Sequence, residues 1–225
     1  MSRLLLLDID GTLLTTGGAG LRAFKAAADE VLQAPIKIRK HHFAGKLDRV
    51  IFQGFFKEFN ASPLDFNHAW FAFREKYLAG LRKEAESPEA WTVYPGVREF
   101  LKREAERSRL ALITGNIHEG ARLKLSAVGL WDYFGCGAYG DEGDTREALA
   151  SRALDCAQKH FGCAFEEVWV IGDTVADIAC GRAIGAKTLG VRTGFSKKGE
   201  LETAGADAVV DTLARTFISS ALFSY

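Results

Sequence analysis

The 225-residue sequence has no excess charge of either sign: 29 Lys and Arg balance 29 Asp and Glu. Without a strong positive field it offers little to a nucleic acid backbone or an anionic membrane, and neither is expected as a partner. Long apolar runs are also missing. The run at 4–7 ends at Asp8, too short for the apolar stretch of an export signal, and no later segment approaches a membrane span. Cysteine is scarce: Cys136, Cys156, Cys163 and Cys180 form no C-x-x-C pair. That excludes a disulfide scaffold and suggests four small core side chains in a reducing cytoplasm. Repeats and low-complexity tracts are absent as well. What is present is ordinary globular composition, 26% charged and 48% hydrophobic. At about 150 residues per domain, the length suggests one large domain or a core carrying an insertion.

Five apolar runs, at 4–9, 110–114, 168–172, 188–192 and 208–210, read as buried strands bounded by Gly, Asp or Thr. Helical stretches at 97–107, 119–128, 146–160 and 177–184 alternate with the later ones. This pattern predicts an α/β fold with a Rossmann-like, doubly wound parallel sheet covered on both faces. Such sheets bind ligands beyond the carboxyl ends of their strands, where Asp8-Ile9-Asp10, Thr114-Gly115-Asn116 and Gly172-Asp173 fall. Residues 15–91 break the alternation, with helical periodicity at 21–32, 47–59 and 68–85 and more than half of the 16 Phe. Trp70, Phe73, Tyr77 and Leu81 share a helical stripe there. The expected organisation is a core of 1–14 and 92–225 with an inserted α-helical domain at 15–91. Gly17-Gly18-Ala19-Gly20 and the stretch 88–95 are its candidate hinges.

Asp8 and Asp10 stand two apart at a strand end, so their side chains leave the same side while Gly11 allows a sharp turn. Like charges this close do not both ionise cheaply without a cation, which sets a nucleophile beside a general acid. Two turn-capping aspartates would give the same pattern.

The order of the motifs is more specific. Asp8-Ile9-Asp10-Gly11-Thr12-Leu13 resembles the first motif, D-x-D-G-T-[LV], of the haloacid dehalogenase superfamily. Leu112-Ile113-Thr114-Gly115-Asn116 resembles the second, and Gly172-Asp173-Thr174-Val175-Ala176-Asp177 the fourth, G-D-x-x-x-D. The helical insert is similar to the family's C1 cap, found in its phosphoglycolate phosphatase and β-phosphoglucomutase branches.

The resemblance implies a phosphomonoester hydrolase acting on a small phosphorylated metabolite. Asp8 would form an aspartyl phosphate, and Asp10 would protonate the leaving alcohol and then activate water. Mg2+ would be held by Asp8, Asp173 and the backbone carbonyl of Asp10. Thr114, with the N–H groups of Gly115 and Asn116, suits phosphoryl oxygens, or serves as a helix cap. Thr12 would order the turn, and Asp177 would cap its helix or orient the cation site. The family's Lys-Pro third motif is missing; Arg146 is the candidate to take its place as the phosphate-binding cation, with Lys124 second. In the cap, Gly45, Lys46 and Arg49 resemble the substrate loop, with His41 and His42 as surface neighbours. A phosphosugar mutase would use the same Asp8 and Asp10, and a catalytically weak phosphate-binding homologue would keep the site without turnover. A receiver-type signalling domain would have no use for the insert.

Overall fold

The computed structural model describes residues 2–39, 42–59, 65–143, 145–214, 216 and 218. The first strand, β1 (Arg3–Leu7), shows why the sheet sits in the middle of the molecule. Its four consecutive leucines are all fully buried. Pleating sends alternate side chains to opposite faces, so Leu5 and Leu7 join one apolar cluster with Phe100, Leu112 and Leu125, while Leu4 and Leu6 join another with Leu149, Ala153 and Val170. A strand apolar on both faces has to be covered twice.

Coverage comes from helices on each side. α4 (Val97–Ala105) and α5 (His118–Ala127) supply residues to the first cluster, and α6 (Arg146–Phe161) and α7 (Val175–Ala183) to the second. The six-stranded sheet is parallel throughout, in the order β5 (Cys136–Ala138), β4 (Arg109–Ile113), β1, β6 (Glu167–Gly172), β7 (Lys187–Val191), β8 (Ala208–Val210). The chain builds outward from β1 in both directions, which opens a crevice at the carboxyl ends of β1, β4 and β6. A short helix, α8 (Glu200–Thr203), precedes the last strand. The expected doubly wound α/β architecture is found, together with one sheet strand the sequence pattern did not reveal. That strand, β5, is three residues long and reads Cys-Gly-Ala, too short and too small for an apolar run.

The segment after β1 departs from the sheet. A two-residue antiparallel pair, β2 (Leu14–Thr15) with β3 (Thr92–Val93), closes its base. Between them lie α1 (Ala19–Leu32), α2 (Asp48–Phe59) and α3 (Phe66–Ala85). Their core is aromatic: Phe52 stacks on Phe73 at 4.3 Å, Trp70 and Tyr77 stack on Phe73 at 5.5 and 5.6 Å, and Phe24 meets Phe73 edge-on at 4.7 Å. Ile117, at the start of α5, joins this cluster, so the insert rests on the sheet layer beside the strand ends. One core expectation is corrected: Cys163 is exposed in the turn after α6 and is no core residue. Gly162 closes that helix in the left-handed conformation and turns the chain outward. Among the described residues, no helix is long and apolar enough to cross a membrane.

Candidate active site

The Asp8 N–H makes the last sheet bond of β1, to Ile171 O at 3.0 Å. The chain then turns on itself, with the N–H groups of Thr12, Leu13 and Leu14 all donating to Ile9 O. Gly11 makes the turn possible: its φ is +91°, and a Cβ there would lie 2.4 Å from Asp173 Oδ2. Thr12 Oγ1 donates to Asp173 Oδ1 at 3.1 Å and the Phe195 N–H to Asp173 Oδ2 at 2.7 Å, which pins that carboxylate at the end of β6.

One helical turn further on, Asp177 Oδ2 accepts from the Thr174 N–H and hydroxyl at 3.0 and 2.7 Å. Its other oxygen faces Arg146 Nη2 at 2.5 Å, and the same nitrogen lies 3.5 Å from Asp8 Oδ2. Asp177 therefore caps its helix and holds Arg146 as well. Arg146 is buried, and its Nε and Nη1 have no partner among the described residues. A buried guanidinium with two donor positions unpaired has the chemistry to receive an anion.

Asp8, Asp173 and Asp177 are buried and offer oxygens within 4.8 Å of one another. Burial pushes the Asp8 carboxyl up to about 7, against the pull of Arg146 and helped by the charges of Asp177 and Asp10. Burial and the neighbouring Asp177 and Asp8 push Asp173 well above the usual carboxylate range. Among the described residues, Arg146 is the one cation paired with this group. A set of hard carboxylate oxygens with negative charge to spare suits a divalent cation of the magnesium type.

The opposite wall comes from β4 and α5. The Thr114 N–H closes the sheet on Ala138 O at 3.1 Å, and Thr114 Oγ1 accepts from Asn116 Nδ2 at 2.8 Å. Asn116 Nδ2 also donates to Asp10 Oδ2 at 2.8 Å, and Lys124 Nζ donates to Asp10 Oδ2 and Asn116 Oδ1, both at 2.6 Å. Both of these bonds to Asp10 fall on Oδ2, and among the described residues no side-chain bond falls on Oδ1.

A cavity of about 710 Å3 connects these groups, lined by Asp8, Asp10, Gly11, Thr114, Gly115, Asn116, Lys124 and Arg146 from the sheet side and by Gly45, Lys46 and Asp48 from the insert. Thr12, Asp173 and Asp177 stand behind this lining and hold it in place. Gly45 is a docking point: a Cβ on it would sit 2.5 Å from Ala176 Cβ. Arg49 does not line the cavity; its guanidinium lies 5.5 Å from the centre of the Phe66 ring. His42 accepts from the Arg39 N–H and meets the Phe55 ring, while His41 lies outside the described residues.

Two residues at the site were not assigned to it beforehand, although Tyr77 was expected in the core stripe where it is found. Asp48 and Tyr77, both from the insert and both buried, line the cavity beside Lys124. The usable signal was a charge inside an apolar pattern: Lys124 lies on the buried face of α5 beside Ala121 and Leu125.

These features define a doubly wound α/β protein with a carboxylate-rich crevice at its switch point, partly roofed by helices. The chain belongs to the haloacid dehalogenase-like hydrolase family, whose sequence profile matches residues 5–191. It is similar to a probable phosphatase, IndB, of Dickeya dadantii (strain 3937), with 27% identity over 95% of this chain and 91% of the relative. A phosphoglycolate phosphatase of Chromobacterium violaceum is 32% identical over 56% of this chain and 55% of its own. CbbY from Rhodobacter sphaeroides, crystallised in complex with phosphate, shares the fold at a TM-score of 0.70 and 21% identity, with both chains fully covered.

Proposed function

We propose that this hydrolase is a magnesium-dependent phosphatase that removes phosphate from a small phosphate ester through an aspartyl phosphate on Asp8. One observation carries the reading: Asp8 and Asp10 reach a single cavity in different settings. Asp8 is buried against Arg146, and Asp10 is held through one oxygen by Lys124 and Asn116. A nucleophile and a proton carrier need that difference.

In the first step an Asp8 oxygen bonds to phosphorus, the bond from phosphorus to the ester oxygen breaks, and Asp10 Oδ1 gives its proton to the departing alkoxide. Water then attacks the same phosphorus and yields its proton to Asp10, and the acyl phosphate bond breaks to return Asp8 and release inorganic phosphate. Arg146, Thr114 and the N–H groups of Gly115 and Asn116 would receive the phosphoryl oxygens. A magnesium ion held by Asp8, Asp173 and the Asp10 carbonyl would neutralise the charge between carboxylate and phosphate. Asp177 keeps Arg146 aimed, and Gly11 and Thr12 hold the turn.

The core would comprise 1–14 and 92–225, and the helices of 15–91 would form a cap that shields the acyl phosphate from bulk water. Gly45 seats the cap, and Lys46 is its cationic contact for the substrate. Arg49, turned onto Phe66, is left out of that role. The balanced charge supports a small-molecule substrate over a polyanion, and a cytoplasmic location belongs to the same proposal.

The test is release of inorganic phosphate from a panel of small esters, with magnesium or with chelator, for wild type and Asp8→Asn. Magnesium-dependent release that disappears in the variant supports the reading. Release that survives Asp8→Asn overturns it.

A further inference from the structure

The insert reaches the catalytic strand ends through Asp48, in the first turn of α2. Its backbone N–H donates to Gly115 O at 2.9 Å, and its Oδ2 accepts from the Ile117 N–H at 3.2 Å. Asp48 thus grips both sides of Asn116, the residue that bonds Asp10 and Thr114. The fit around it leaves no slack, because a Cβ on Gly115 would fall 2.1 Å from Lys46 O. Asp48 is buried, and the Lys124 ammonium lies near enough to pull against the burial of its carboxyl. That ammonium in turn holds Asp10 Oδ2 and Asn116 Oδ1. A carboxyl group from the insert, a lysine from α5 and the proton-carrying aspartate therefore line one cavity together.

We propose that Asp48 is a positioning residue that, when the insert is seated, fixes the 115–117 loop and Lys124 so that Asp10 presents Oδ1 to the leaving group. The proposal rests on the phosphatase reading of Asp10. Nothing in it requires Asp48 to touch substrate.

Leaving groups separate this role from a merely structural one, since an alkoxide needs a proton and a nitrophenolate does not. The experiment compares kcat for an alkyl phosphate and for p-nitrophenyl phosphate in wild type, Asp48→Ala, Asp48→Asn and Lys124→Met, with the Asp48→Ala/Lys124→Met double variant. General acid catalysis being worth about 100- to 10,000-fold, its partial misplacement in Asp48→Ala is expected to lower the alkyl rate about 10- to 100-fold and the nitrophenyl rate less than about threefold. Asp48→Asn keeps an oxygen for the Ile117 N–H and recovers most of the alkyl rate. In the double variant the alkyl-to-aryl ratio falls no further than in Lys124→Met, because the two side chains act in series.

Amide exchange supplies a readout without turnover: the Ile117 N–H loses protection in Asp48→Ala and keeps it in Asp48→Asn. Equal losses on both esters, additive losses in the double variant, or an Ile117 amide indifferent to Asp48→Ala each overturn the role. A wild type that hydrolyses neither ester overturns the phosphatase reading and the role together; the exchange result then reports only the seating.

Discussion

The sheet and the insert solve the same problem, burying enough apolar surface, with different materials. β1 does it with four leucines on a strand paired on both sides, so its backbone has almost no freedom left. The insert does it with rings stacked on rings, Phe52 and Tyr77 on Phe73, and is tied to the sheet side by a two-residue strand pair and by loop contacts at Gly45 and Asp48. The charged groups are divided accordingly. Those that must sit within a few ångströms of like charge, Asp8, Asp173 and Asp177, come from the ends of β1 and β6 and the first turn of α7. The insert contributes Lys46 and Asp48 to the cavity wall. Rigidity is placed where repulsion has to be resisted.

The largest expected effect tests the sheet side. Asp8→Asn should lower kcat by about 10,000-fold or more, as loss of a covalent nucleophile does. It should leave the melting temperature unchanged or raised at pH 8 in chelator, since the amide removes a charge whose burial lifts its pKa to about 7. Next comes Arg146→Ala, which strips a partner from buried Asp177 and Asp8. Breaking such a pair costs about 3–5 kcal/mol, and loss of a preorganised donor about 100- to 1,000-fold in turnover. Denaturant titration and binding of a phosphate analogue measure the two. Arg146→Lys should fall between, because a point charge cannot replace a fork.

Phe73→Ala puts the comparison itself at risk. Truncating a fully buried ring at the centre of the aromatic cluster should cost about 3 kcal/mol. If the two cores are separate, amide exchange quickens across α1, α2 and α3 while β1, β4 and β6 keep their protection. A uniform loss over both regions would mean one cooperative unit, and the division of labour described above would fail.

The sheet side was also the more legible half in sequence. Its strands are apolar runs, and its charged residues follow them directly, so Asp8, Thr114 and Asp173 could be placed at one edge by counting. Arg146 was singled out for a different reason, the family resemblance, as the cation where the third motif would stand; the structure sets it between Asp8 and Asp177. The insert's helices were visible from periodicity, but its share of the site was not. Asp48 and Arg49 are adjacent charged residues in the first turn of one helix, and only packing sends the first under the strand ends and the second onto Phe66. Lys124 was seen as a spare phosphate ligand, whereas the structure pairs it with Asp10; a spacing rule cannot tell which charge a buried lysine will meet. β5 was missed because a Cys-Gly-Ala strand at a sheet edge carries no run to detect.

The smallest expected effect returns to the insert and concerns pH. Burial pushes the Asp48 carboxyl up to about 7, opposed by Lys124 and the Ile117 N–H and reinforced by the charges of Asp10 and Asp141; the buried Tyr77 phenol packs alongside. The folded protein thus holds a proton at Asp48 that the unfolded chain, with an ordinary value of 3.8, has released. That contribution to stability is complete below the unfolded value and is lost as pH rises through about 7. Asp48→Asn has no proton to lose, so between pH 5 and 8 its melting temperature should rise relative to wild type. At about 2–4 °C for each kcal/mol in a chain of this length, a gain of a few degrees is measurable by calorimetry in the presence of chelator. Parallel curves for the two proteins would mean that water or a rearranged loop solvates Asp48. The insert would then rest on the strand ends less tightly than the Gly115 and Ile117 bonds require.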